Sequence, residues 1–176
     1  MRILFLLLIG FLMASAHEEF ITTAHIRILP KIMALDTRLS QKSAIPKSIF
    51  AIIYDTNQKF EAQRIAEEIN KTYNGKVANI AFQALPLSVN EAIERKDIAF
   101  AYVIQKCTDK GVKKVADWGI QNTVPVFSYD VADLEFGVLG SVAIERSTII
   151  YINKTSLKEG KFRFDEALYR IARFIE

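Results

Sequence analysis

Apolar positions along the chain change period in a repeating order. Residues 48–54 (Ser-Ile-Phe-Ala-Ile-Ile-Tyr) are a nearly unbroken apolar run, which predicts a strand covered on both faces. Residues 58–73 then place Ala62, Ile65, Ala66, Ile69 and Tyr73 on one helical stripe, with Glu67 and Lys71 as an outward i,i+4 pair. Asn74-Gly75 stops that helix, and residues 76–82 read as a second strand. Ser88 and Glu91 have the spacing of a capping box for a short helix reaching about residue 96. A third strand over 97–104 follows. Thr108 or Asp109 caps the next helix, whose Val112, Val115, Ala116 and Gly119 face inward, and 124–128 is a fourth strand.

The two ends depart from this alternation. Residues 18–35 are helical in period, with Ile21, Ala24, Ile28, Ile32 and Leu35 on one stripe and Pro30 predicting a kink or break near Leu29. Residues 36–48 have no period and contain Pro46, so they read as a polar connection. From Gly137 onward the pattern becomes strand (138–145), a tight turn at Arg146-Ser147, and strand (148–152). Asn153 caps a short helix over 154–159 that Gly160 ends. Phe164, Ala167, Leu168, Ile171, Ala172 and Ile175 then predict a closing helix with one apolar face.

Strand–helix units at this spacing imply a single three-layer α/β domain. Its central sheet is mainly parallel with flavodoxin- or Rossmann-like winding, and right-handed crossovers give the order 2-1-3-4. An N-terminal helix precedes it, and a strand–strand–helix extension adds at the far edge. The 51% hydrophobic content across 176 residues is enough for one sizeable core.

Residues 1–16 stand apart from that domain, which spans 17–176. Arg2, an eleven-residue apolar run over 3–13 and Ala14-Ser15-Ala16 are the three parts of a secretory signal in order. The expectation is cleavage after Ala16 and a periplasmic protein starting at His17. Cys107 is the single cysteine, so no internal disulfide can form; it reads as a small core or near-surface thiol, the alternative being a regulatory thiol or intermolecular disulfide whose pKa Lys106 and Lys110 would lower. A net charge of +3, with bases interleaved among acids, gives no stripe for nucleic acid.

In open α/β sheets ligands settle beyond the carboxyl ends of the strands, where strand order reverses. Asp55, Thr56 and Asn57 after the first strand, Gln105 after the third, and Ser128, Tyr129 and Asp130 after the fourth are therefore candidate ligand-binding residues. The same polar types also serve as turn and capping residues. No glycine-rich nucleotide loop follows the first strand, and Gly137-Val-Leu-Gly140 precedes a strand rather than the helix N-terminus that a phosphate cradle needs. No cofactor and no metal is expected: His17 and His25 read as exposed helix residues without a third ligand. No serine or cysteine nucleophile motif is present, and the chain reads as a non-enzyme.

The order of segments resembles the YfiR-like periplasmic proteins. The likeness is carried by AHIRILPKI, SIFAIIYD, DIAFAYVIQ, PVFSYD and above all GVLGSVAIERSTIIYINKTSLKEGKFRFDEALYRIARFIE, with Tyr151-Ile152-Asn153 and Leu168, Ile171 and Ala172 as its best markers. The resemblance implies a small exported regulator that restrains the periplasmic sensor domain of a membrane diguanylate cyclase. It also implies an outer-membrane lipoprotein that relieves the restraint. Better-known members carry cysteine pairs and a double glycine; here Cys107 is alone and Gly137 and Gly140 are separated. Arg163, Tyr169, Arg170 and Arg173 are the candidate partner-binding residues, since Tyr and Arg most often anchor interfaces. A second copy of the chain is a further candidate partner. The alternative is a small periplasmic solute-binding module of a transport system.

Overall fold

The architecture comes from a computed structural model, which describes the backbone of residues 2–41 and 48–176 and the side chains of 18–39 and 48–176. Helix α1 (Arg2–Ala34) leads through a one-turn α2 (Thr37–Gln41) to β1 (Ser48–Tyr54). Next come α3 (Lys59–Tyr73), β2 (Lys76–Val77), β3 (Ile80–Ser88) and α4 (Val89–Glu94). β4 (Ile98–Val103), α5 (Asp109–Asn122) and β5 (Val126–Ser128) follow, then a 3₁₀ turn at Val131–Phe136. The chain closes with β6 (Gly140–Ile144), β7 (Thr148–Asn153), α6 (Lys154–Glu159), α7 (Glu166–Ile171) and β8 (Ala172–Ile175).

These strands make one eight-stranded sheet, ordered β2-β3-β1-β4-β5-β6-β7-β8. The central β3-β1-β4-β5-β6 run is parallel, as the alternation of strands and helices requires. β6 and β7 form the hairpin expected at Arg146-Ser147. Each face of the sheet builds its own apolar layer. On one, α1 and α3 cover Phe50, Ile52, Phe82, Phe100, Tyr102 and Phe127. On the other, α4, α5 and the 3₁₀ turn cover Ala51, Ile53, Ala101, Val103 and Val126. Phe100 lies between Phe50 and Phe127, with ring centroids 5.0 and 5.2 Å away, so the central aromatic stack spans three strands.

Capping follows the sequence closely. Ser88 and Glu91 form both halves of the capping box, Thr108 Oγ1 accepts from Gly111 N at 3.2 Å, and Asn153 Oδ1 accepts from Ser156 N at 2.9 Å. The two separated glycines have distinct steric duties. Gly137 ends the 3₁₀ turn at φ 90°, a conformation that favours glycine. A Cβ on Gly140 would stand 2.6 Å from the Phe127 ring and 2.7 Å from the Tyr151 carbonyl oxygen.

Several expectations are corrected. α1 continues through Pro30 to Ala34 with no break at Leu29. Its buried side is Thr22, His25, Ile26, Leu29, Ile32 and Met33, one step round from the expected stripe. The second strand is two pieces, the short β2 folding antiparallel onto a nine-residue β3 that runs through Pro86. Among the described residues the outer side of β3 has no neighbouring strand beyond Ala81, where a proline's missing N–H is tolerated. On α3 the ion pairs are Arg64 with Glu61 and Glu68, in place of Glu67 with Lys71. The closing helix stops at Ile171, and Ala172–Ile175 turns into β8. There the backbone pairs with β7 in parallel, which satisfies a sheet edge that a continued helix would leave bare.

The connection over 36–48 is not featureless: buried Asp36 accepts from Arg38 N and Nε, each at 2.9 Å. Thr37 N donates to Arg163 O, and Asp165 N to Leu35 O, so the end of α1 is tied to the C-terminal extension. Residues 42–47, including Pro46, lie outside the described residues. Among the described residues no helix is long and apolar enough to cross a membrane.

Candidate functional site

Strand order reverses between β1 and β4: the chain runs from β1 to β3 on one side and enters β4 on the other. Beyond the carboxyl ends of these two strands lies a cavity of about 560 Å³, the position and size expected of a ligand pocket in such a sheet. Its floor is Tyr102, Ile104 and Gln105 from the end of β4, with Tyr129 beside them. The turn before α3 supplies Asn57 and Gln58, the first turns of α3 supply Phe60, Glu61 and Arg64, and α1 closes the other wall with Glu18, Glu19 and Thr22.

The candidate ligand residues divide here. Asn57, Gln105 and Tyr129 line the cavity, whereas Asp55, Thr56, Ser128 and Asp130 do not. Asp55 is a brace between loops: its carboxylate accepts from Thr108 Oγ1 at 2.7 Å and from Thr56 N at 2.8 Å. The Thr108 hydroxyl above all holds Asp55 below the usual carboxylate range. Asp130 caps the 3₁₀ turn through Ala132 N at 2.9 Å. Ser128 Oγ donates to Asp133, whose pKa burial pushes up.

Behind the cavity is a polar cluster that the periodicity concealed. His25 is 0% exposed, not an exposed helix residue. Its Nε2 lies 2.6 Å from the Val142 carbonyl oxygen, which can only accept, so Nε2 carries the proton. Nδ1 therefore accepts from the Tyr102 hydroxyl at 2.8 Å. Burial lowers the His25 pKa to about 4, opposed only in part by the Val142 bond, so the ring is neutral at physiological pH. His25 also meets Tyr102 and Tyr129 edge to face, with centroids 5.5 and 5.3 Å away. One side chain thus joins α1, β4 and β6 against two residues of the cavity wall.

Cys107 is half-buried, 4.0 Å from the Ile53 carbonyl oxygen. Its neighbours Lys106 and Lys110 do not activate it: burial, then the charge of Asp55, pushes the thiol up to about 12. Among the described residues no three His, Cys, Asp or Glu side chains gather as a metal site.

The candidate partner residues sit around the β8 edge. Arg170 is exposed and reaches Glu166 at 3.4 Å. Arg173 is exposed, its guanidinium 5.6 Å from the centre of the Tyr151 ring. Between them Ile171 is 65% exposed. Tyr169 is half-buried, and its hydroxyl accepts from Phe164 N at 3.0 Å, a structural duty. The Arg163 side chain is exposed, but its carbonyl holds Thr37.

Comparison places this architecture among solved structures. A conserved domain protein of Vibrio cholerae O1 biovar El Tor superposes with a TM-score of 0.64 at 10% identity, over 88% of this chain and 60% of that one. An ABC domain from Streptococcus pneumoniae, solved in complex with L-Trp, gives 0.51 at 14% identity, over 82% and 62%. A ligand-free, open substrate-binding protein with adhesive properties from Clostridium difficile gives 0.55 at 13% identity, over 79% and 58%. What they share with this chain is its fold. The chain spans about three fifths of the length of each. No protein-family model matches the sequence, and no curated protein matches it.

Proposed function

We propose that this chain is an exported, non-enzymatic regulator that works by binding a partner protein. The partner is the periplasmic sensor domain of a membrane diguanylate cyclase, as the YfiR-like order of segments implies. One observation carries the reading: the C-terminal extension ends in an open edge strand, β8, with Ile171 exposed between the cations Arg170 and Arg173. An exposed apolar anchor flanked by arginines, beside unpaired strand backbone, fits an acidic or extended partner segment. The same edge can pair with a second copy, and a lipoprotein competing for it relieves the restraint. Export rests on the signal-like residues 1–16, and amino-terminal sequencing of periplasmic material checks it by the start at His17.

A second reading, a small solute-binding module, is favoured by the cavity at the switch point. Deleting the gene separates the two. The regulator reading expects cellular cyclic-di-GMP to rise; unchanged cyclic-di-GMP with failed uptake of one solute supports the transport module instead.

A further inference from the structure

We propose that the cavity at the ends of β1 and β4 binds a small organic cation: an ammonium group on an apolar, aromatic-sized body. The inference stands on the cavity and is independent of whether the chain restrains a cyclase.

The balance of donors and acceptors around the cavity carries it. The Arg64 guanidinium is spent on Glu61, at 3.0 and 2.7 Å, with Glu68 at 3.5 Å. Gln105 Nε2 donates to Glu18 at 3.2 Å, and Gln58 Nε2 to the Gln105 carbonyl oxygen. The Tyr102 hydroxyl is given to His25, and Lys106 stands loosely against Glu18 at 3.9 Å. Acceptors are left over. Gln58 Oε1 is buried with no partner among the described residues, a state that costs about 1–3 kcal/mol unless something donates to it. Glu19 makes no ion pair or hydrogen bond among the described residues, though its charge is felt at Arg64.

Charge points the same way. Three carboxylates, Glu18, Glu19 and Glu61, face two cations, Arg64 and Lys106, around the lining. The negative charge of Glu18 is also sensed by Tyr129, whose phenol is held above its ordinary pKa by burial and then by that carboxylate. The apolar part of the ligand has its own surfaces. Phe60 lines the cavity yet is 81% exposed, and the half-buried Tyr129 lines it as well. Aromatic rings sharing a lining with one unpaired carboxylate, Glu19, are an arrangement that recognises an ammonium ion. Beyond Lys106, an anion would meet only neutral donors on the lining, the Asn57 amide and the Tyr129 hydroxyl.

Calorimetric titration of the purified protein with phenethylamine, hydrocinnamate and phenethyl alcohol tests the class, since these share a body and differ in the head group. Saturable binding of the amine alone is expected. Glu19→Gln should weaken it about fivefold, and Phe60→Ala by a similar factor. Both residues are exposed, so neither variant threatens the fold. Lys96→Gln, at the opposite end of the sheet, should change nothing. Equal binding of acid or alcohol, unchanged affinity in both cavity variants, or no amine binding up to about 10 mM overturns the inference. None of these results alters the cyclic-di-GMP test of the partner reading.

Discussion

His25 offers a stability experiment whose size and sign can be worked out in advance. In the folded chain it is neutral, with a pKa lowered from 6.5 to about 4 by burial, while in the unfolded chain it titrates near its ordinary value. Between those two pH values the unfolded state binds more protons than the native one, so stability rises with pH. The full native advantage is present above about pH 6.5 and is lost as pH falls toward 4. At about 1.4 kcal/mol per pH unit the loss amounts to roughly 3 kcal/mol. His25→Gln keeps a donor for Val142 and an acceptor for Tyr102 but cannot titrate, so it should cost about 1 kcal/mol at pH 7.5 from imperfect geometry. Asp133, raised by its burial, contributes in the opposite sense, but it is common to both proteins and drops out of the difference. Urea unfolding at several pH values should show the variant less stable at pH 7.5 and at least equal by pH 4. Parallel stability curves for the two proteins, or an NMR titration placing His25 near 6.5, would refute the reasoning.

Other outcomes follow from the same packing. Phe100→Ala, which removes the middle ring of the stack over Phe50 and Phe127, should cost about 3–5 kcal/mol in urea unfolding; a loss below about 1 kcal/mol would mean β4 is peripheral. Gly140→Ala should destabilise by about 2 kcal/mol or more, because the nearest obstacles are a packed ring and backbone rather than a flexible tip; wild-type stability would contradict the close approach of β6 to Phe127. With its pKa at about 12, Cys107 should react with a thiol reagent at pH 8 at least about a hundredfold slower than free cysteine, and labelling at the free rate would show the thiol to be open.

The sheet was legible because its signals are local. The apolar run at 48–54 and the alternating stretch ending in Ile104 define β1 and β4, and the intervening helices force parallel pairing. Ser88 with Glu91, Thr108 and Asn153 announced their helices through chemistry confined to one turn. What stayed hidden depends on neighbours distant in sequence. His25 read as an exposed residue because its polar type hides burial, and it is buried only because Tyr102 and Val142 supply partners from other strands. Ala172–Ile175 continues a helical period, and only the vacant side of β7 converts it to a strand. Part of the cavity was visible in Asn57, Gln105 and Tyr129. Gln58 and Phe60, one and three residues past Asn57, could have been added from α3's position at the switch point. Glu18 and Glu19 could not, since no periodicity tells which strand ends α1 crosses.

Whether the β8 edge restrains a cyclase is tested most directly by charge reversal there. Arg170→Glu with Arg173→Glu removes an exposed pair with Glu166 and a contact with Tyr151. Such contacts are worth about 1 kcal/mol or less each, so the melting temperature should fall by only a few degrees. Cellular cyclic-di-GMP, measured beside a deletion strain and a strain with the wild-type gene restored, is predicted to rise to the deletion level with the folded variant present at normal abundance. Cyclic-di-GMP that stays at the wild-type level in the variant strain while the deletion raises it would exclude the β8 edge, and a deletion that leaves it unchanged would contradict the regulator itself.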